Sequence, residues 1–139
     1  MTRKGSSKIV DAAFGDGRLR VARSYLKAAR DELTLAEVED IGNPSMSQIV
    51  NAAIAFADAL TARHGRVNRQ DHAAAVKTLR DALGNRLPAT QEKRLRRILA
   101  EKDEVQYGAR LKSRAEAEHL LQELNEFAAW AESELERKV

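Results

Sequence analysis

The chain contains no cysteine, only two prolines, six aromatic residues and no long apolar run. Each of these shortages excludes something. Without cysteine there is no disulfide, no thiolate-bound zinc, no iron–sulfur cluster and no thiol nucleophile. No uninterrupted apolar stretch approaches the ~18 residues that a membrane helix requires. The basic start, Met1 to Lys8, is followed by no apolar segment of signal-peptide length, so a cytoplasmic protein is expected. Sustained alternation of β-branched and polar residues, the mark of a half-buried strand, is also missing.

What is present is helix-forming. Ala, Leu, Glu and Arg dominate, and these are strong helix formers. Hydrophobic residues at 43% and charged residues at 32% describe a globular chain, and 139 residues make one domain able to bury its own core. The expectation is an all-α, antiparallel up-and-down bundle of about five helices over residues 16–139, preceded by a flexible arm over 1–15. Leu19, Ala22, Leu26, Ala29, Leu33 and Ala36 recur at spacings of three and four, which predicts a first helix from Asp16 to Asp40, broken by Gly42-Asn43-Pro44. A second helix, capped by Ser45 or Ser47, carries Ile49, Val50, Ala53, Phe56, Ala57 and Leu60 to a stop at Gly65. Its alanines allow close backbone approach and mark it as central.

Asn68 or Asp71 caps a shorter third helix through Val76, Leu79 and Leu83, with Gly84 and Pro88 bracketing the next connection. The fourth follows Thr90, uses Leu95, Ile98, Leu99 and Val105, and ends at Gly108. Ser113-Arg-Ala-Glu116 has capping-box form and opens a last helix to Glu136.

The net charge of +3 conceals alternating blocks. Residues 1–30 hold eight bases and two acids, residues 31–58 six acids and no base. Residues 59–100 hold ten bases and three acids, and the remainder is acidic again. The basic block over 59–100 is the best candidate for meeting an anion such as RNA; the competing reading is solvated helix faces that neutralise one another.

The three histidines, His64, His72 and His119, show no metal-ligand spacing, and no glycine-rich phosphate loop is present, so neither metal nor cofactor is expected. Two constellations remain. Arg63, Arg66, Arg69 and His72 cluster at the corner between the second and third helices, where arginines hold phosphate and a histidine can move a proton. That is equipment for metal-free RNA cleavage; the simpler reading is basic residues complementing a helix C-terminus. Lys102 and Tyr107 form the second. They lie a turn and a half apart, off a shared face unless the helix frays at Gly108, and the plain expectation is a half-buried tyrosine closing the bundle end. Phe127 and Trp130 read as core or dimer-interface residues.

The order of these features resembles the HEPN family, small prokaryotic helical-bundle proteins often paired with a minimal nucleotidyltransferase. Ser24 to Leu33 looks like the family's first helix, and Asn51 to Leu60 is similar to its small-residue second. His72-Ala-Ala-Ala-Val76 falls where one clade carries a histidine, and Leu99 to Gly108 resembles that clade's Arg-x4-Tyr segment. The resemblance covers roughly residues 18–136.

It implies a homodimer, and in catalytic members an Arg-x4-6-His motif that cleaves RNA without metal, commonly as toxins or in phage defence. Here the matching positions read Lys102 and Tyr107. Lysine keeps a phosphate-facing charge, but a phenol titrating near ~10 is a poor base at neutral pH. The leading expectation is a non-catalytic, HEPN-like protein that binds RNA, a nucleotide or a protein partner, through Arg63, Arg66, Arg69 and His72. One alternative is a metal-independent endoribonuclease using Lys102, Tyr107 and His72. Another is a structural or regulatory interaction module.

Overall fold

The computed structural model describes residues 12–66 and 74–137. Among these residues there is no strand, and the all-α expectation holds. Six α-helical segments appear: α1 (Ala12–Leu35), α2 (Asn43–Arg63), α3 (Ala75–Leu83), α4 (Ala89–Leu99), α5 (Lys102–Tyr107) and α6 (Arg114–Glu136). A 3-10 turn at Gly84–Arg86 joins α3 to the segment leading into α4.

Cross-helix contacts fix the directions. Arg18, early in α1, pairs with Asp58, late in α2, at 3.0 Å. Arg23 reaches Glu132 at 2.6 Å, while Arg114, opening α6, donates to the Leu33 carbonyl at 3.5 Å. So α1 runs antiparallel to both α2 and α6. Arg86, before α4, pairs with Glu134, and Glu101, after it, pairs with Lys112, which sets α4 antiparallel to α6. The four staves α1, α2, α4 and α6 therefore alternate in direction, with α3 spanning the crossing from α2 to α4.

The stave α2 is central, as its alanines predict: 14 of its 21 residues are buried. It packs against α1, α3, α4, α5 and α6. Phe56, Ile49, Val50 and Leu60 fill the core with Phe127 and Leu124 from α6, Leu79 from α3 and Leu95 and Ile98 from α4. Ala52, Ala53, Ala55 and Ala57 are spent inside this core, where their small side chains let neighbouring helices approach. Trp130 is half-buried against Phe127, ring centroids 5.7 Å apart, and belongs to the same cluster.

Several helix boundaries differ from the sequence reading. The first helix begins at Ala12, so residues 12–15 of the expected arm are helical; residues 1–11 lie outside the described residues. It ends at Leu35 rather than Asp40, because Asp40 accepts from the Glu37 amide (2.8 Å) and returns its own amide to the Glu37 carbonyl (3.1 Å). That local turn competes with continued helix.

The second helix opens at Asn43, two residues before Ser45, because Pro44 fits a first turn whose amide needs no helical partner. The expected fourth helix is two pieces. At Ala100–Glu101 the backbone tightens to a Glu101 N–H to Ile98 carbonyl bond, and α5 turns onto α2, where Gln106 donates to Ser47 Oγ at 3.0 Å. The expected start of the third helix, at Asn68 or Asp71, lies outside the described residues. The Ser113 capping box forms as read, with Ser113 Oγ accepting from the Glu116 amide and Glu116 from the Ser113 amide.

Candidate nucleic-acid interface

The four site residues expected at the corner between the second and third helices fare differently. Arg69 and His72 lie outside the described residues. Arg63, ending α2, donates both arms of its guanidinium to the Leu135 and Arg137 carbonyls at the end of α6. Those carbonyls have no intrahelical partner, so Arg63 caps α6 and complements its dipole. Arg66 is exposed. His64, between them, is half-buried; burial, and then the charge of Arg86, push its imidazolium below the ordinary histidine range against the pull of Glu134. Glu134 itself is a buried carboxylate held by Arg86 at 2.9 Å and Arg137 at 3.3 Å.

Lys102 and Tyr107 meet, contrary to ideal helix geometry. The Lys102 Nζ sits 5.0 Å from the Tyr107 ring centroid. Nor is the tyrosine half-buried as expected: it is 76% exposed, because the six-residue α5 turns only Val105 into the core and ends at Gly108. The pair is a cation–π contact on the surface, and Asp103 and Glu104 flank it, which weakens its appeal to a polyanion.

The stronger cationic feature lies on α3 and α4. Lys93-Arg94-x-Arg96-Arg97 places Leu95 and Ile98 inward and the bases outward. Glu92 accepts from Arg96 at 2.7 Å and from Arg80 of α3, so one carboxylate is straddled by two guanidinia. Glu123 of α6 is shared the same way, by Arg97 at 2.7 Å and Arg94 at 3.5 Å. On α3, Lys77 pairs with Asp81 at 2.9 Å. Arg66 is close enough to Asp81 to help the Lys77 hydrogen bond hold that carboxyl below the usual carboxylate range.

Six cations (Arg66, Lys77, Arg80, Arg94, Arg96 and Arg97) therefore meet three carboxylates, and exposed Lys93 adds a seventh positive charge. Arg96 and Arg97 keep 55% of their side-chain surface exposed. A carboxylate shared by two arginines fixes both guanidinia in place while cancelling only one charge, so donors and positive charge remain for phosphate oxygens.

The sequence reading named the basic block but singled out its loop; the signal on α4 was the Lys93–Arg97 run itself. Among the described residues no three histidine or carboxylate side chains gather as a metal site, and no helix is long and apolar enough to cross a membrane. Fold and face together define a small helical bundle with a cationic surface on α3 and α4. No family model matches the chain, and no curated protein matches it.

Proposed function

We propose that the chain is a HEPN-like helical module that binds RNA through the α3–α4 face without cleaving it. The surplus of positive charge on that face carries the reading: arginines held in place by shared carboxylates suit a phosphate backbone, which rewards several simultaneous cationic contacts. Arg66, exposed beyond the end of α2, extends the face.

The remaining parts of the proposal rest on the family resemblance: a homodimer, pairing with a minimal nucleotidyltransferase, and a role in a toxin–antitoxin or defence setting. The alanines of α2 lend the dimer no support, since they are buried within one copy. Light scattering showing only monomer at micromolar concentration removes the dimer from the proposal.

Binding is tested by fluorescence anisotropy of a labelled single-stranded RNA over a salt series. The expected result is an affinity that falls steeply with salt and drops by about tenfold or more in an Arg96→Glu/Arg97→Glu variant. Equal binding by wild type and variant refutes the face. The same samples, incubated in EDTA, address the ribonuclease alternative, which the contact between Lys102 and Tyr107 favours. RNA cleavage by wild type that is lost in Lys102→Ala/Tyr107→Phe would replace the non-catalytic reading with an enzyme.

A further inference from the structure

The opposite charge gathers at the α1–α2 connection, together with side chains that a water-facing turn does not ordinarily display. Leu35 and Val38 are 81% and 80% exposed, and Ile41 is 47% exposed. Leu35 and Ile41 line a groove of about 390 Å³ with Leu33, Ala36 and Pro44, edged by Glu32 and Asp40, and Val38 stands in the turn between them. That volume is within the ~300–1,000 Å³ of ordinary binding clefts. Exposed Leu111 belongs to the neighbouring loop, whose Arg110 and Lys112 carbonyls accept from Asn43 Nδ2 and the Gly42 amide. Around the apolar surface Glu32, Glu37, Glu39 and Asp40 make no ion pair with any described residue. Arg114, the cation of the groove lining, is turned to Glu118 at 3.2 Å and to the Leu33 carbonyl.

The charge selects the occupant. A polyanion or an anionic lipid surface is repelled by four unpaired carboxylates. A second copy seated face to face brings the same carboxylates together, and head-to-tail seating on another copy's cationic face builds a ring or an open chain rather than a two-fold dimer. The described backbone offers no strand edge to extend, so recognition must run through side chains. We infer that this end of the bundle docks a basic amphipathic helix of a different protein, its aliphatic side chains on Leu35, Val38 and Ile41 and its lysines or arginines against Glu32, Glu37, Glu39 and Asp40. This surface is separate from the α3–α4 face and does not depend on RNA binding.

The test is anisotropy of a labelled short synthetic helix with leucines at i, i+4 and i+7 and lysines and arginines elsewhere, titrated with the full chain. The expected result is saturable binding that weakens with salt. It should fall by about tenfold or more in Leu35→Ser/Val38→Ser and in Glu37→Lys/Glu39→Lys, and stay unchanged in Arg96→Glu/Arg97→Glu. Leu35 and Val38 are solvent-facing, so circular dichroism and the melting temperature of their variant should match wild type. Failure of the cationic helix to bind, or equal binding by the Leu35/Val38 variant, overturns the proposal. So does a wild-type dimer that the Leu35/Val38 substitutions convert to monomer, because a second copy then occupies the surface.

Discussion

The α3–α4 face and the α1–α2 connection are both charged surfaces, built on opposite rules. On α3–α4 cations outnumber carboxylates and share them, so each ion pair holds its arginines in place and still leaves positive charge over. At the α1–α2 connection the carboxylates form no ion pair with a described residue, Arg114 being turned to Glu118, and aliphatic side chains stand exposed between them. A shared-pair surface is preorganised for a polyanion. An unpaired acidic surface with an apolar centre awaits its counter-charges from a partner. Net charge, at +3, reports neither.

The largest effect should come from the seat of the acidic end. Gly42 has an ordinary φ of −90°, yet a Cβ there would collide with the Ser113 carbonyl oxygen and lie 3.0 Å from the Ala117 Cβ. Backbone cannot rotate out of the way, so Gly42→Ala should lower unfolding stability by about 1–3 kcal/mol in urea titration, on the scale of overpacked cores. A full-stability Gly42→Ala protein would mean that α2 and α6 are not clamped there. Next is the Arg96→Glu/Arg97→Glu variant, which should lose RNA while keeping its melting temperature within a few degrees, since exposed ion pairs contribute ~0–1 kcal/mol each.

Ser113→Ala removes the α6 cap and should cost about 1 kcal/mol in the same titration. Smaller still is Glu92→Gln, which removes one negative charge from the face and should strengthen RNA binding a few-fold, the opposite of what a loss of structure would do. Hydrogen bonds from Arg80 and then Arg96 hold the Glu92 carboxyl below its ordinary range. The stabilisation from that pairing is therefore complete at neutral pH and disappears as the pH falls through the depressed value, so wild type and Glu92→Gln should converge in acid.

The smallest effect concerns His64, which sits on neither surface. Its imidazolium is disfavoured in the folded state relative to the ordinary value of 6.5. Stability is thus whole above that value and declines below it, as protonation favours the unfolded chain. Melting curves from pH 7 to pH 5 should fall less for His64→Gln than for wild type.

Much of the fold was legible because burial and helical period are local properties of the chain. The stripe Ala22, Leu26, Ala29 and Leu33 is buried as spaced, and the Ser113–Glu116 cap closes as its four-residue pattern dictates. Boundaries that depended on a competing partner were not legible. Asp40 turns back on Glu37 instead of continuing α1, and Glu101 leaves the fourth helix for Lys112. Lys102 and Tyr107 meet although their spacing separates them, the long lysine side chain reaching the exposed ring along the short α5.

The sequence alone determined the helical class, the central place of α2 and the existence of a basic and an acidic block, since each follows from residue type and spacing along one strand of chain. Only the tertiary structure decided what those charges do. Arg63 was turned to the carbonyls of α6, Glu92 and Glu123 were each placed between two arginines, and Glu32, Glu37, Glu39 and Asp40 were left without an ion pair among the described residues. A charge interacts with whatever the fold brings within a few ångströms of it, and that distance is set by packing between helices far apart in sequence.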